Sequence, residues 1–184
     1  MRDASRPLRE PRVGGEVRIQ RCSAAEGDSW ESLVPPHRRG NVQTFLARGD
    51  AGYLAGVDGR LAGWIWLSRV THRDPWSGLR IRLGPDEAYA YALWVDPEHR
   101  PKGVAAALVV SLLREVRDDP TLTRVYGWVD KRNRESQVLL RLLGFVQVQH
   151  VKRVHVLHRI GRQLPRSDRP RFGPLSAAGR HRST

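Results

Sequence analysis

The chain of 184 residues has room for one domain of ordinary size, and a hydrophobic fraction of 40% suffices for its core. Its single cysteine, Cys22, excludes an intrachain disulfide and a paired-cysteine zinc site, and favours a reducing, cytoplasmic setting. No apolar run approaches the roughly 20 residues of a membrane span, whereas the net charge of +13 makes nucleic acid a partner to consider.

Much of the positive charge lies in the C-terminal segment, which is rich in Pro, Ser and Gly. This segment carries six arginines against one acidic residue, Asp168. Such a composition buries too little apolar surface to offset chain entropy, so residues 162–184 are predicted to be a basic disordered tail. Residues 1–15 are predicted to be a disordered extension, which leaves 16–161 as the domain. Any contact with nucleic acid is expected only through the tail.

Three elements are predicted before the middle of the chain. The stretch "EVRIQRC" alternates like a strand, in which Cys22 is interpreted as a small buried hydrophobe. Residues 23–34 favour a helix that Pro35 and Pro36 stop. The stretch "NVQTFLARG" favours a second short helix that ends at Gly49.

A β-hairpin follows. Asp58-Gly59 stands between "GYLAGV" and "RLAGWIWLSRV", and this dipeptide is the strongest short hairpin signal. Trp64 and Trp66 share one face of the second strand, where core packing is favoured over the lining of an acceptor pocket. The segment Thr71–Asp86 is predicted to be a loop that helps to shape the choice of acceptor.

The stretch "EAYAYALWV" is predicted to be a strand that Asp96-Pro97 ends. Simple alternation divides it into two faces, and the small residues of the even face suggest that a helix packs closely there. The odd face contains Glu87, Tyr89, Tyr91, Leu93 and Val95, and the even face contains Ala88, Ala90, Ala92 and Trp94.

The remaining elements alternate between helix and strand. A helix is predicted from about Gly103 to Arg117, then a strand "RVYGWV", then a helix "NRESQVLLRLLG" that Gly144 ends. Two alternating strands, "FVQVQHV" and "RVHVLHRI", close the domain. The whole order indicates a single α/β domain with antiparallel hairpins at its start and end. The apolar face of the second helix is predicted to contain Val138, Leu139, Leu142 and Leu143.

The junction before the first of these helices has the features of an anion site. A helix N-terminus offers unpaired N–H groups and a positive dipole end, which together bind phosphate. Gly103 and Ala105 allow close approach, Arg100 and Lys102 add charge, and Pro101 lacks an N–H. Neither a P-loop nor a dinucleotide fingerprint is present. A basic loop without a ligand is the alternative interpretation.

Two motifs give this junction a context. The segment "LWVDPEHRPKGVAAALV" contains the pattern [QR]-x-x-G-x-[GA], and "NRESQVLLRLLGF" follows about thirty residues later. In this order and on these elements, they resemble the GNAT superfamily of acyl-CoA-dependent N-acyltransferases. The resemblance covers roughly Val17 to Ile160. It implies a mixed, mostly antiparallel central sheet flanked by helices.

The resemblance also implies a co-substrate and its contacts. An acetyl-CoA-dependent member would move the acetyl group directly to a primary amine of a small molecule or peptide. The pantetheine arm would pair with the strand end, where a backbone N–H polarises the thioester, and Asn133 would contact the pantetheine or adenosine side. The strand-end residues are Leu93, Trp94 and Val95. The pyrophosphate would lie on Arg100, Pro101, Lys102, Gly103, Val104 and Ala105.

The positions that handle protons depart from the family pattern. Tyr89 stands where many members have a glutamate base, and Leu140 stands where the usual tyrosine acid is found. Glu87, on the same strand face, is the candidate base acting through water. Tyr91 is the candidate hydroxyl donor, with Tyr126 as an alternative.

Two other hypotheses stay open. Because of Tyr89 and Leu140, the domain could bind CoA without efficient catalysis. The Arg-rich tail could belong to a basic nucleic-acid-binding or ribosome-associated protein. No metal site is expected, since His150, His155 and His158 have no carboxylate beside them. The sequence does not predict the oligomeric state.

Overall fold

The computed structural model describes residues 1–5, 8, 11, 14, 16–22, 39–74 and 78–149. The helices in this part are α1 (Arg39–Ala47), α2 (Val104–Asp118) and α3 (Arg134–Leu142), and a 3₁₀ helix (Pro97–Lys102) precedes α2. The strands are β1 (Arg2–Asp3), β2 (Val17–Cys22), β3 (Ala51–Val57), β4 (Arg60–Ser68), β5 (His72–Arg73), β6 (Arg80–Ile81), β7 (Glu87–Val95) and β8 (Arg124–Gly127).

A mixed sheet organises these elements. Six strands lie in the order β1-β8-β7-β4-β3-β2, and β5 pairs with β6 in a separate small hairpin. Strands β7 and β8 run parallel, while the other neighbours in the six-stranded sheet are antiparallel. The predicted α/β class, with a mostly antiparallel sheet flanked by helices, is confirmed.

The two faces of the sheet carry two hydrophobic clusters. Helices α2 and α3 cover one face, where Leu108 and Leu112 of α2 are fully buried. Helix α1 contributes Phe45 to the other face, where the rings of β4 and β7 also lie. This second face contains three tyrosines, Tyr89, Tyr91 and Tyr126, and is called the tyrosine face below.

The predicted hairpin is confirmed. Asp58 and Gly59 have φ angles of 51° and 75°, as a two-residue type I′ turn between β3 and β4 requires. Trp64 and Trp66 are both buried on the tyrosine face, as core packing predicts. Cys22 is buried at the end of β2.

The predicted apolar face of α3 is half wrong. Val138 and Leu142 are exposed, whereas Leu139, Leu140 and Leu143 pack against the core. The C-terminal end of α3 lies at the edge of the sheet, where the carbonyl of Leu143 accepts a hydrogen bond from Arg2 of β1. Residues 138 and 142 form the neighbouring stripe, which faces away from the described core.

The N-terminal residues also differ from expectation. Strand β1 pairs with the outer edge of β8, and Arg2 is only 1% exposed. Its Nε donates a hydrogen bond to the carbonyl of Leu143 at 2.8 Å, which places a cation at the end of α3. The prediction of disorder is therefore wrong for residues 1–5. The domain boundaries at 16 and 161 stay predictions.

The described C-terminal part departs from the predicted strands. Residues 145–149 have no regular secondary structure, although the backbone of Val146 exchanges two hydrogen bonds with that of Met1. The helix expected over 23–34, the strand "RVHVLHRI" and the tail lie outside the described residues. Within the described part, no helix has the length and apolarity to cross a bilayer.

Candidate functional site

The middle of β7 contains a β-bulge. Trp94 lies opposite Trp64 of β4, but Tyr91 lies opposite Trp66, so β7 holds one extra residue between the two pairs. Ala92, inside this interval, has a φ of 52°. A left-handed backbone at a non-glycine residue costs about 1–2 kcal/mol. Such strain is concentrated at functional sites in proteins.

The bulge reverses the alternation of side chains along β7. Tyr89 and Tyr91 lie on the tyrosine face, but so do Ala92 and Trp94. The predicted faces are therefore wrong beyond Tyr91, because one extra residue shifts every later side chain to the opposite side. Trp94 stacks on Trp64 with ring centroids 4.3 Å apart. A helix was expected to pack against the alanines, and this is correct for Ala88 and Ala90, which lie on the α2 side of the sheet. Beyond the bulge, Leu93 and Val95 lie on that side.

Strand β7 separates from β8 at the same place. The last parallel pair is Ala90 with Gly127, and the bulge follows immediately. Beyond it, β7 keeps β4 on one edge through Trp94 and Val95, while its other edge has no strand partner in the described part of the chain. An unpaired strand edge offers backbone donors and acceptors to an extended ligand.

The next turn of the chain leads directly into α2. Asp96 caps the 3₁₀ helix by accepting a hydrogen bond from the N–H of Glu98, and Gly103 then adopts a φ of 76°. Helix α2 starts at Val104, whose side chain is fully buried, so that only its backbone can contact a ligand. The N–H groups of this first turn have no acceptors within the helix.

The cations expected at this turn are accessible. Arg100 is exposed and donates to the carbonyl of Val95 at 3.4 Å, while Lys102 is half-buried. The turn thus combines backbone donors, a positive helix end and two cations. Because Gly103 has no Cβ, an anion can approach the backbone closely.

Asn133 has a structural role at the start of α3. Its side-chain oxygen accepts a hydrogen bond from the N–H of Ser136 at 3.0 Å, which caps the helix. The amide nitrogen of Asn133 donates to no described residue. It is therefore the end of this side chain that could reach a ligand.

Glu87, the candidate base, is buried at the start of β7 and already well satisfied. Its carboxylate accepts hydrogen bonds from the N–H of Gly84 at 2.9 Å, from Arg124 at 3.2 Å and from the hydroxyl of Tyr126 at 2.8 Å. Burial, then Glu87, raises the pKa of Tyr126 to about 12. These contacts tie β7 to β8 at the end of the sheet away from the bulge.

Tyr91, the candidate hydroxyl donor, belongs to a buried network next to the bulge. It donates to Oδ2 of Asp50 at 2.6 Å and accepts from Nη2 of Arg48 at 2.7 Å. Burial, followed by Asp50, raises the pKa of Tyr91 well above its usual value. Arg48 and Asp50 are not among the site residues predicted from the sequence. They stand on either side of Gly49 at the end of a helix. A charged pair in that position can be buried or exposed, and the sequence does not indicate which.

Tyr89, at the position where many members of the resembled family have a glutamate, is buried. Burial, followed by Asp74 on the loop after β5, raises its pKa. Its ring stacks on that of Tyr91 with centroids 5.8 Å apart. Leu140 packs against the core on the other face and offers no proton.

A family model described as the acetyltransferase (GNAT) family matches residues 20–145. The chain belongs to the GNAT family. The matched residues run from within β2 to just beyond α3 and include the bulge and the turn before α2. The predicted family is therefore confirmed.

This GNAT chain is similar to a curated acetyltransferase. Mycothiol acetyltransferase of Salinispora tropica is 29% identical over 176 residues, which are 87% of this chain and 53% of that protein. The chain thus spans about half the length of this curated relative.

Solved structures resemble the fold. The aminoglycoside N-acetyltransferase AAC(6')-Iy in complex with CoA has a TM-score of 0.56 at 19% identity, with 78% of this chain and 97% of that chain covered. A ribosomal-protein-alanine N-acetyltransferase from Brucella melitensis biovar Abortus 2308 has a TM-score of 0.54 at 17% identity, with 77% and 99% covered. At these identities, the structures establish the GNAT fold.

Membership of the family supports acyl transfer from an acyl-CoA as the class of reaction. The described part of the chain contains no group of three or more His, Cys, Asp or Glu residues arranged to hold a metal ion.

Proposed function

We propose that this chain transfers the acetyl group of acetyl-CoA directly to a primary amine of a small molecule or peptide. The observation that carries the proposal is the position of the bulge at Ala92. There β7 leaves β8, and a strand edge without a strand partner among the described residues leads within a few residues to the turn before α2, which offers backbone N–H groups and two cations. A long ligand with a diphosphate at one end and an amide-rich arm at the other matches that arrangement.

The contacts of acetyl-CoA follow from this geometry. The pyrophosphate would bind the backbone N–H groups of Gly103, Val104 and Ala105, with Arg100 and Lys102 at its rim. Pro101 would add no hydrogen bond. The pantetheine arm would pair with this edge of β7 at Leu93, Trp94 and Val95, and the amide nitrogen of Asn133 would reach it from the start of α3.

The acceptor side is then the tyrosine face, since the α2 side is closed by the core. Tyr91 immediately precedes Ala92, so its hydroxyl network lies close to where the thioester would be polarised. Glu87 is five positions before Ala92, roughly 16 Å along an extended strand. A role for Glu87 in proton transfer therefore requires a chain of waters. We also propose that the reaction takes place in the cytoplasm, which suits a chain whose single cysteine, Cys22, cannot form an intrachain disulfide.

Two measurements test the function. Acetyl-CoA should raise the melting temperature, because a ligand that binds only the native state stabilises it. Release of free CoA thiol should then follow addition of an acceptor from a panel of aminoglycosides, alanine-terminated peptides and simple amines. Failure of acetyl-CoA to change the melting temperature would refute the proposal.

A second candidate is a domain that binds acyl-CoA without efficient catalysis. Tyr89 and Leu140 favour it, because neither can serve as the proton-transfer group usual at its position. Thermal stabilisation by acetyl-CoA, combined with no thiol release across the whole panel, would select this candidate.

A further inference from the structure

Among the residues that the structure describes, the carboxylate of Asp50 has hydrogen-bond partners on one oxygen only. Oδ2 accepts hydrogen bonds from Nε of Arg48 at 2.8 Å and from the Tyr91 hydroxyl at 2.6 Å, and Nη2 of Arg48 also contacts it at 2.5 Å. Oδ1 is buried and accepts no hydrogen bond from any described residue. The side chain is only 1% exposed.

This asymmetry is energetically unusual. A buried polar atom without a partner costs about 1–3 kcal/mol, and more when the group is charged. The orientation of the carboxylate is nevertheless fixed, because Arg48 and Tyr91 hold its other oxygen. A carboxylate held in this way presents a defined lone pair to a donor, and that is the arrangement a general base requires.

The location of Asp50 is also suitable for a general base. Its carboxylate touches the hydroxyl of Tyr91, the residue directly before the bulge, and it lies on the proposed acceptor side of β7. Asp50 reaches this point from the turn between α1 and β3, because Gly49 with a φ of 83° redirects the chain at the end of α1. A carboxylate from the turn before β3 thus lies on the face where Tyr89 stands at the position of the glutamate found in many family members.

We propose that Oδ1 of Asp50 accepts the proton of the acceptor amine, with Arg48 and Tyr91 as positioning residues. This inference rests on the proposed function. The acceptor enters as an ammonium ion that donates to Oδ1, and one N–H proton moves to the carboxylate. The free amine attacks the thioester carbon, so that a C–N bond forms and the C–S bond breaks. The second N–H proton goes to the departing CoA thiolate, and Asp50 later releases its proton to water.

The groups around the Asp50 carboxylate are donors, which leaves Asp50 as the proton acceptor at this point. Among the described residues, the polar contacts of the Asp50 carboxylate come from Arg48 and Tyr91 alone. Arg48 balances the carboxylate charge, and its guanidinium lies 5.6 Å from the centroids of the Phe45 and Tyr91 rings. Both positioning groups are therefore fixed by packing as well as by hydrogen bonds.

Two probe amines of nearly equal size isolate the proton step. Methylamine is protonated at neutral pH, whereas hydroxylamine is neutral there and needs no base. For methylamine, Asp50→Asn should lower kcat/KM at pH 7 by about 10²- to 10³-fold, and the rate should recover as pH rises and the free amine accumulates. For hydroxylamine, after subtraction of the uncatalysed rate, the loss should be under about tenfold. A merely structural role would affect both probes equally.

Asp74→Asn is the matched control, because it also removes a buried carboxylate that faces a tyrosine of β7. It should leave the ratio of the two rates at the wild-type value. Should Asp50→Asn fail to fold, Tyr91→Phe keeps the carboxylate and removes one of its donors. That variant should lower kcat for methylamine more than it changes KM, with little effect on hydroxylamine.

The outcomes separate the two proposals. Wild-type-like methylamine kinetics and an unchanged pH profile in Asp50→Asn would overturn the role of Asp50 alone. A wild-type protein that binds acetyl-CoA but acetylates neither probe nor any amine of the panel would overturn both the transferase function and the role of Asp50.

Discussion

A Cβ atom on Gly63 of β4 would lie 2.6 Å from the carbonyl oxygen of Trp94 on β7. Real Cβ atoms do not approach a backbone oxygen so closely, so only glycine allows the two strands to pair here. This contact lies just beyond the bulge, where β7 resumes its register with β4. The position of the strand end that would hold pantetheine therefore depends on a glycine of the neighbouring strand.

Gly63→Ala should lower the free energy of unfolding by about 1–3 kcal/mol, because the added methyl group overpacks a contact with backbone. It should also weaken acetyl-CoA binding, since β7 must move. Urea denaturation and calorimetric titration measure the two effects. Gly56→Ala is the control, because the nearest atom to a Cβ there is 3.7 Å away. Equal losses in the two variants would contradict the explanation.

Ala92 gives a prediction about the bulge itself. A β-branched residue tolerates a positive φ poorly, so Ala92→Val should disfavour the bulge and strongly weaken acetyl-CoA binding. Ala92→Gly should instead relieve strain and change the free energy of unfolding by no more than about 1 kcal/mol in the stabilising direction. Tight acetyl-CoA binding by Ala92→Val would show that the ligand does not need the bulge.

Introducing a negative charge tests whether the turn before α2 binds the diphosphate. Gly103→Glu should abolish acetyl-CoA binding, because it places bulk and a negative charge where a diphosphate would lie. Gly59→Glu introduces the same side chain at nearly the same φ, 75° against 76°, in the β3–β4 turn. It should cost similar stability and leave affinity unchanged. Thermal shift with acetyl-CoA distinguishes the two variants, and equal affinities would remove the ligand from this turn.

Asp119 should make the stability of the fold depend on pH in the acidic range. Its hydrogen bond from Thr121 and then that from Arg69 lower the pKa of the carboxyl from 3.8 to about 2. Because the folded-state pKa lies below the unfolded one, the stabilisation is present above about pH 4 and is lost as the pH falls towards 2. The melting temperature of the wild type should therefore fall more steeply over that interval than that of Asp119→Asn. Parallel curves would refute the assignment.

Local signals in the sequence predicted the local parts of the fold. Asp58-Gly59 predicted the hairpin because its positive φ angles favour those residues. The helix start near Gly103 was predicted because Val104, Leu108 and Leu112 recur at helical spacing. In both cases, the signal lies in residues that are close together in the sequence.

The departures have a common physical origin in tertiary structure. Ala92 adopts a conformation that alanine does not signal, so simple alternation failed beyond Tyr91. Strand β1 is two residues long and has no periodicity to detect. Asp50 becomes a candidate base only when the fold brings it to Tyr91, which is distant in sequence. Pairings of this kind leave no pattern in a single chain.

The stacked indoles of Trp64 and Trp94 give β7 an optical reporter. Rings whose centroids are 4.3 Å apart exchange excitation and couple their near-ultraviolet transitions, and Trp94 belongs to the strand end that would hold pantetheine. A cofactor arm settling along that edge would disturb the coupling. Circular dichroism and intrinsic fluorescence could then follow ligand entry in real time, without a label and before any acceptor is known.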